Sequence, residues 1–550
     1  MASPMSSFIP EHAPFTTEQR AWLNGFFSGL AGIQLNADAA AVLSAAGMVT
    51  PSVAPGLEPE PEQEEFPWHD ASLPIVDRMS LAEDKPIERK LMAAMAQLDC
   101  GSCGYLCQTY AEAIAAGDEK NLTLCSPGGK ETAKMVKLVL KESTGQDSAQ
   151  RAIAQTASAQ TASAPTKNGA TVNGKGAASW SRQNPFTAKL VESRRLNKPG
   201  SAKDTRHVVI DLSGSGIRYD VGDALGIYPT NCRDLVTEII EEIGAEPQML
   251  VSSPQGDSKS LLDTLVQDRC LKDPSDELIE LIISRAQDSS LLPILTGYLE
   301  DGVPGGFDVL DALRLARGVT ISATEFVATL AVLNPRLYSI ASSQKTVGDT
   351  VHLTVGRVAF EKDGRERKGV ASTLLADRLD GGGEIRVFRQ ANHGGFTVPS
   401  DPTAAMIMVG PGTGIAPFMA FLQERAATKA SGNNWLFFGD QRSEFDFLYQ
   451  DELNQFAQSG VLNRLDTAFS RDGEHKVYVQ DRMKEQAAEL WRWLSEGAYF
   501  YVCGDASRMA LDVDRSLHQI VAQQGGFSES DARAYVANLG KEKRYVRDVY

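Results

Sequence analysis

Seven cysteines occur in this chain of 550 residues, and four of them fall within one short stretch. Cys100, Cys103 and Cys107 lie in Asp99-Cys100-Gly101-Ser102-Cys103-Gly104-Tyr105-Leu106-Cys107, and Cys125 precedes Ser126-Pro127-Gly128-Gly129. The spacing C-x2-C-x3-C-x17-C forms most of a cage from one run and closes it with a returning loop, as a metal centre needs. Gly101 and Gly104 let the backbone bend close to a cluster, and Pro127-Gly128-Gly129 can turn it away. A structural zinc site and two disulfides are the alternatives. Zinc held by four cysteines more often shows two separated C-x2-C knuckles, whereas a three-thiol run with one distant thiol is commoner for [4Fe-4S]. Nothing marks the chain for export, which weighs against disulfides. The expectation is a [4Fe-4S] cluster on Cys100, Cys103, Cys107 and Cys125.

A second constellation suits a nucleotide. Gly410-Pro411-Gly412-Thr413-Gly414 lies between an apolar strand and a helix, where free backbone N–H groups hold phosphate. Its G-x-G-x-G spacing departs from the G-x-G-x-x-G fingerprint. Further on come Ser470-Arg471 and Lys476-x-Tyr478-x-Gln480. Arg, Lys and a hydroxyl at one sheet edge suit the 2′-phosphate of NADPH, and Tyr478 can stack on adenine. A solvated basic edge is the bland reading of a lone Ser-Arg pair; the glycine turn upstream favours nucleotide binding.

The elements that must position these groups are legible in outline. Residues 16–30 read as an amphipathic helix, with Thr16 and Gln19 at capping-box spacing and Trp22, Leu23, Phe26, Phe27 and Leu30 at helical intervals. It packs on the same chain or docks a partner subunit. The acidic, proline-rich stretch 51–66 reads as linker, so 1–84 holds a helix and a linker. Good helix formers, Lys90–Gln97 and Glu131–Leu140, flank the thiols in a small domain at 85–146. Residues 147–183, built from Ala, Thr, Ser, Gln and Gly, read as a flexible arm with an r.m.s. span of roughly 30–36 Å. Strand-like alternation (His207-Val-Val-Ile-Asp-Leu212) opens a unit at 184–400, interrupted by a leucine-rich helical insertion at about 232–330. From 401 to 550 apolar strands at Ala405–Val409, Trp435–Phe438, Arg464–Phe469 and Tyr499–Cys503 alternate with helices, which implies a doubly wound parallel sheet.

A net charge of −17 weighs against nucleic acid and anionic membrane as partners. The start of the chain shows no secretion signal, and no apolar run approaches the roughly 20 residues that span a bilayer. With the clustered thiols, this points to a reducing cytoplasm.

Three further motifs carry a resemblance. Arg336-Leu-Tyr338-Ser339 resembles the flavin motif R-x-Y-S of the ferredoxin–NADP reductase superfamily. Gly369-Val370-Ala371-Ser372-Thr373 resembles its FAD pyrophosphate loop, and the chain ends Arg544-Tyr-Val-Arg-Asp548-Val-Tyr550, where the superfamily places an aromatic over the isoalloxazine. With Tyr501-Val-Cys503-Gly-Asp505, residues 184–550 are similar to the reductase half of the diflavin enzymes, specifically the flavoprotein subunits of NADPH–sulfite reductases. The Ala21–Phe27 helix also resembles their N-terminal segment. The resemblance implies an antiparallel β-barrel for FAD and a parallel-sheet domain for NADPH. It assigns Arg336, Tyr338, Ser339, the 369–373 loop and Tyr550 to FAD. Gly412, Thr413, Gly414, Ser470, Arg471, Lys476, Tyr478, Gln480 and Asp505 go to NADPH, and Ser339, Cys503 and Asp548 to hydride transfer. Tyr550 would move aside for the nicotinamide. Cys232 and Cys270 are read as packing residues.

The departure from that family lies at 31–183, which is too short and linker-rich for a flavodoxin-like FMN domain and carries the thiols instead. Its D-C-G-x-C-G…C…C-x-P-G-G pattern resembles small [4Fe-4S] domains, with a third spacing of x3 where x4 is usual. The expected function is an NADPH-dependent FAD/[4Fe-4S] reductase delivering single electrons to a terminal reductase. Sirohaem sulfite reductase haemoprotein is the first-choice partner and molybdenum nitrate reductase the second. A single-flavin ferredoxin or flavodoxin reductase with a zinc docking domain is the reading from another class.

Overall fold

The computed structural model describes residues 66–69, 73–97, 105–119, 122, 124–125, 128–154, 180–392, 394–506 and 508–550. Contacts divide the chain into Met1–Phe66 and Pro67–Tyr550, and the elements that follow belong to the second unit. The 16–30 helix, the 51–65 linker, Cys100 and Cys103 lie outside the described residues.

The cysteine-bearing segment is helical. Helices span Ile75–Leu81, Ile87–Ala94, Cys107–Ala116 and Gly129–Ala154. Pro86 sets the start of the second, where a missing N–H costs nothing. Gly117, at φ 78°, ends the third in the left-handed conformation that glycine adopts freely. Leu91, Met92, Tyr110, Ala111 and Val136 are buried, and the Thr132 hydroxyl donates to Ala94 O at 2.9 Å. The last helix runs to Ala154, into the stretch whose composition reads as linker. Past Gly145, Ala, Arg and Gln continue without a breaker, and such residues extend a helix already begun.

Six strands make an antiparallel sheet: β1 Phe186–Arg195, β2 Thr205–Asp211, β3 Ala224–Tyr228, β6 Arg336–Ser339, β7 Thr350–Gly356 and β10 Glu384–Gln390, in the order β6-β3-β10-β1-β2-β7. A bridge between Ile340 and Leu353 joins its outer strands, so the sheet closes into a barrel. Alternate residues fill the interior, among them Leu190, Val208, Ile210, Leu225, Ile227, Leu353, Val355 and Val387. Between β3 and β6 lies the helical insertion, with its own core of Ile239, Leu265, Leu278, Ile282, Leu310 and Phe326. It also holds a hairpin, β4 Leu250–Ser252 with β5 Ser258–Ser260, turning at Gly256. A second hairpin, β8 Ala359–Lys362 with β9 Arg365–Lys368, is tied to the insertion by Arg365 and Arg367 on Asp308 and Asp311.

The C-terminal part is a five-stranded parallel sheet ordered β13-β12-β11-β14-β15, from β11 Met406–Val409, β12 Asn434–Asp440, β13 Arg464–Phe469, β14 Tyr499–Gly504 and β15 Tyr545–Val549. Every residue of β11 is buried, as expected of a strand covered on both faces. One face is covered by a core including Phe418, Phe421 and Leu453, the other by Met483, Leu490, Val513 and Leu517. The antiparallel barrel and the parallel sheet agree with the sequence expectation. Strand β15 was not expected: Arg547 and Asp548 interrupt its apolar pattern, and an edge strand tolerates them. Among the described residues no helix is long and apolar enough to cross a membrane.

Candidate functional site at the barrel–sheet junction

In the order β13-β12-β11-β14-β15 the chain reverses direction of growth between β11 and β14. A crevice opens there beyond the carboxyl ends of parallel strands, the usual ligand position in such sheets. The turn Gly410–Gly414 occupies that place; its last residues enter a 3-10 turn, Gly412–Ile415, and the helix Ala416–Thr428 follows. Its glycines are required by packing. A Cβ on Gly414 would sit 2.1 Å from the Cys503 carbonyl oxygen, and one on Gly410 would sit 2.5 Å from the Gly414 oxygen and the Phe418 ring. Gly412 differs: it has φ 59° and space in front of it. Thr413 shares a hydrogen bond with the Tyr550 hydroxyl at 3.0 Å.

Three side chains distant in sequence meet beside this turn. Ser339, at the end of β6, donates its hydroxyl to Asp548 Oδ2 at 2.8 Å. The Cys503 thiol lies 3.9 Å from the same oxygen. The parallel register of β14 and β15 pairs Cys503 with Asp548, which fixes that contact. The barrel thus supplies one member and the parallel sheet two. Burial, then the neighbouring carboxylate and the hydrogen bond to it, push the Cys503 thiol well above its usual range, so it remains a neutral S–H.

Arg336 and Tyr338 lie on β6 next to Ser339, and Arg336 donates to the carbonyls of Asn334 and Pro335 at 3.0 and 3.2 Å. The Gly369–Thr373 loop enters a wide helical turn at Leu374–Arg378. The Thr373 N–H and hydroxyl both bond Gly369 O, at 3.0 and 2.9 Å, and Ser372 Oγ accepts from Val358 N at 3.1 Å. The N–H groups of Val370, Ala371 and Ser372 stand at a first helical turn, whose donors find no partner within the helix and suit a diphosphate. A Cβ on Gly369 would meet Ser372 Oγ at 2.6 Å and Val358 Cβ at 2.9 Å, so the loop packs tightly there. These residues fit FAD.

At the edge of the sheet, Arg471, Lys476 and Tyr478 are exposed after β13. The N–H groups of Ser470 and Arg471 bond Asp440 O and Gln441 O at 2.9 and 2.7 Å, which fixes the loop on β12. Gln480 is in the helix Val479–Glu485. Asp505 serves the fold visibly, because its carboxylate accepts from the N–H groups of Arg508 and Met509 at 3.1 and 3.3 Å and so caps the helix Met509–Gly525. Two residues that no motif flagged, Lys203 and Asp440, adjoin Gly412. Cys232 precedes a helix, and both it and Cys270 are half-buried.

Cys107 opens the helix Cys107–Ala116, Cys125 follows the returning chain, and both are buried. Gly128 lies so close that a Cβ there would come 3.0 Å from Cys125 Sγ. Among the described residues no three metal-ligating side chains gather. Tyr105, between Cys103 and Cys107, faces the Arg182 guanidinium with 3.6 Å from its carbon to the ring centre. Arg182 in turn donates to Asn334 Oδ1 at 2.9 Å, two residues before Arg336. Lys137 pairs with Asp276 of the insertion at 3.1 Å. The thiol-bearing segment therefore rests against the barrel at the root of β6.

The class is given by two family models: an FAD binding domain matches residues 178–275 and 307–374, and an oxidoreductase NAD-binding domain matches 408–515. Individual relatives narrow it. The chain is 45% identical over 379 residues to the sulfite reductase [NADPH] flavoprotein alpha-component of Bacillus subtilis, covering 68% of this chain and 62% of that protein. It is 46% identical over 376 residues to the component of the same name from Vibrio cholerae, covering 68% and 60%. The match thus spans about three fifths of the length of these relatives.

Proposed function

We propose that the protein oxidises NADPH at the barrel–sheet junction and passes electrons singly, by way of FAD and a [4Fe-4S] cluster, to a sulfite reductase haemoprotein. The observation that carries this is the meeting of Ser339, Cys503 and Asp548 at the switch point of the parallel sheet, beside a glycine turn and a barrel-borne loop that each suit a diphosphate.

Arg336, Tyr338, Ser339 and the 369–373 loop would hold FAD, with Tyr550 at its ring. Bound FAD supplies an acceptor for hydride and a donor of single electrons, so it suits a two-electron donor feeding one-electron acceptors. Gly412, Thr413 and Gly414 would hold the pyrophosphate of NADPH, and Ser470, Arg471, Lys476, Tyr478 and Gln480 its adenosine 2′-phosphate end. Asp548 orients the Ser339 hydroxyl and the Cys503 thiol, both neutral hydrogen-bond donors. It also provides negative charge where the nicotinamide becomes positive on losing hydride. Tyr550, tied to Thr413, must leave for the nicotinamide to enter.

Cys100, Cys103, Cys107 and Cys125 would hold the cluster, whose chemistry is one-electron transfer. Support comes from the two buried thiols, the glycine pressed against Cys125 and the contact of Tyr105 with Arg182 beside the flavin motif. The names of the relatives support sulfite reductase as the destination. Mixing the protein with a sirohaem sulfite reductase haemoprotein tests this: NADPH-dependent sulfite consumption is expected, and its absence alongside NADPH-dependent reduction of ferricyanide would remove the partner while leaving the reductase.

A further inference from the structure

We propose that Lys203, carried by the connection between β1 and β2 of the barrel, is a ligand of the nucleotide pyrophosphate at the Gly410–Gly414 turn, with Asp440 as the group that positions it. This rests on the reading of that turn as the NADPH site.

The connection is built to deliver a side chain across the junction. Asn197 donates to Asp446 Oδ1 at 2.8 Å and Ser201 donates to the same oxygen. Asp446 is buried at the edge of the parallel-sheet domain. The Lys198 N–H bonds Phe445 O at 2.9 Å, and Gly200, at φ 100°, lies so close to the Phe445 ring that a Cβ would meet it at 2.9 Å. Asn197 also accepts from the Thr205 N–H at 2.6 Å, closing the loop on itself. From this base Lys203 reaches Asp440, the last residue of β12, and its Nζ stands 3.8 Å from the Cβ position of Gly412.

Asp440 needs an explanation of its own. Its side chain has 0% exposure, one oxygen accepts from the Gln441 N–H at 2.7 Å, and Oδ2 has no partner among the described residues. That oxygen lies 3.9 Å from the Cβ position of Gly412. A bare carboxylate beside a turn whose N–H groups attract anions would repel phosphate; an ammonium between them reverses the sign. Lysine suits this position because it is a compact charge on a flexible stem with three donors. It can keep one bond to Asp440 and turn another toward phosphate. Its side chain is 37% exposed, so it borders the crevice rather than the core.

The pyrophosphate is common to NADPH and NADH, whereas the 2′-phosphate is not, so Lys203 and Arg471 have different signatures. Calorimetric titration of the full chain with NADP+ and with NAD+ separates them. Lys203→Ala is expected to weaken both by about tenfold, the loss of one charge-assisted contact, and to leave their ratio unchanged. Lys203→Arg is expected to restore most of the loss, and Asp440→Asn, which keeps the shape but loosens the hold on Lys203, to weaken both nucleotides together with their ratio unchanged. Unchanged affinities with a lowered unfolding midpoint would overturn the proposal and leave Lys203 as an interdomain tie. Weakening of NADP+ alone would also overturn it, by moving Lys203 to the 2′-phosphate. Wild-type protein that bound neither nucleotide would sink the nucleotide reading itself, and the proposal with it.

Discussion

Asp548 is the residue on which the site turns. It receives the Ser339 hydroxyl and sits within reach of the Cys503 thiol, and its register on β15 opposite Cys503 holds it there. Asp548→Asn keeps the shape and removes the charge. We expect it to slow flavin reduction by NADPH on the order of 100-fold in stopped flow, with FAD content unchanged; a full-rate variant would remove Asp548 from the chemistry. At the other end of the nucleotide, Arg471→Ala should raise the apparent KM for NADPH by about tenfold and leave that for NADH alone. Equal effects would show that the 2′-phosphate lies elsewhere. Ser339, Cys503 and Asp548 could be singled out in the sequence because each sits in a short motif of characteristic type. Lys203 could not, since a lysine in Asn-Lys-Pro-Gly-Ser-Ala-Lys-Asp looks like any solvated loop residue until folding brings β12 beside it. Asp505 is a motif position whose carboxylate also caps a helix, a role its motif did not announce.

The glycine turn after β11 shows how an element constrains a site. Gly414 is pressed on the backbone of β14, so Gly414→Ala cannot be relieved by a side-chain rotation. We expect a loss of about 1–3 kcal/mol in stability and a raised KM for NADPH, measured by denaturant unfolding and steady-state kinetics; an unaffected variant would mean the turn is looser than its contacts indicate. Strands β11 to β14 were legible because continuous apolar runs between helical stretches have few other readings. Strand β15 was not, because an edge strand that lends Asp548 to a site must break its own pattern. The helix Gly129–Ala154 outran its expected end for a related reason: low apolar content marks a segment that cannot make a core, and does not by itself end a helix.

Across the molecule as a whole, barrel and parallel sheet are joined by polar contacts that no motif announces. His207 of β2 bonds the Tyr449 hydroxyl at 2.9 Å, and Tyr449 bonds Thr354 of β7 at 2.8 Å. Burial, followed by His352 and Arg194, pushes His207 down to about 4 from 6.5. The unfolded chain therefore takes up this proton near pH 6.5 and the folded protein only near 4. Stability is complete above that window and falls as pH drops through it, by at most about 1.4 kcal/mol per unit from this residue. His207→Phe should flatten the fall of the unfolding midpoint between about pH 6.5 and 5. It should not abolish it, because burial lowers His352 as well; an unchanged slope would contradict the assignment. Composition and motif order made the succession of barrel and parallel sheet readable, but their junctions are made by single residues far apart in the chain.

The electron path is tested most directly on protein purified without oxygen: iron, acid-labile sulfide and flavin content, then EPR spectra before and after NADPH. About four irons and four sulfides per FAD are expected, with a reduced iron–sulfur signal that appears on adding NADPH. Zinc in place of iron, with flavin still reduced by NADPH, would contradict the relay and leave a single-flavin reductase carrying a structural metal domain.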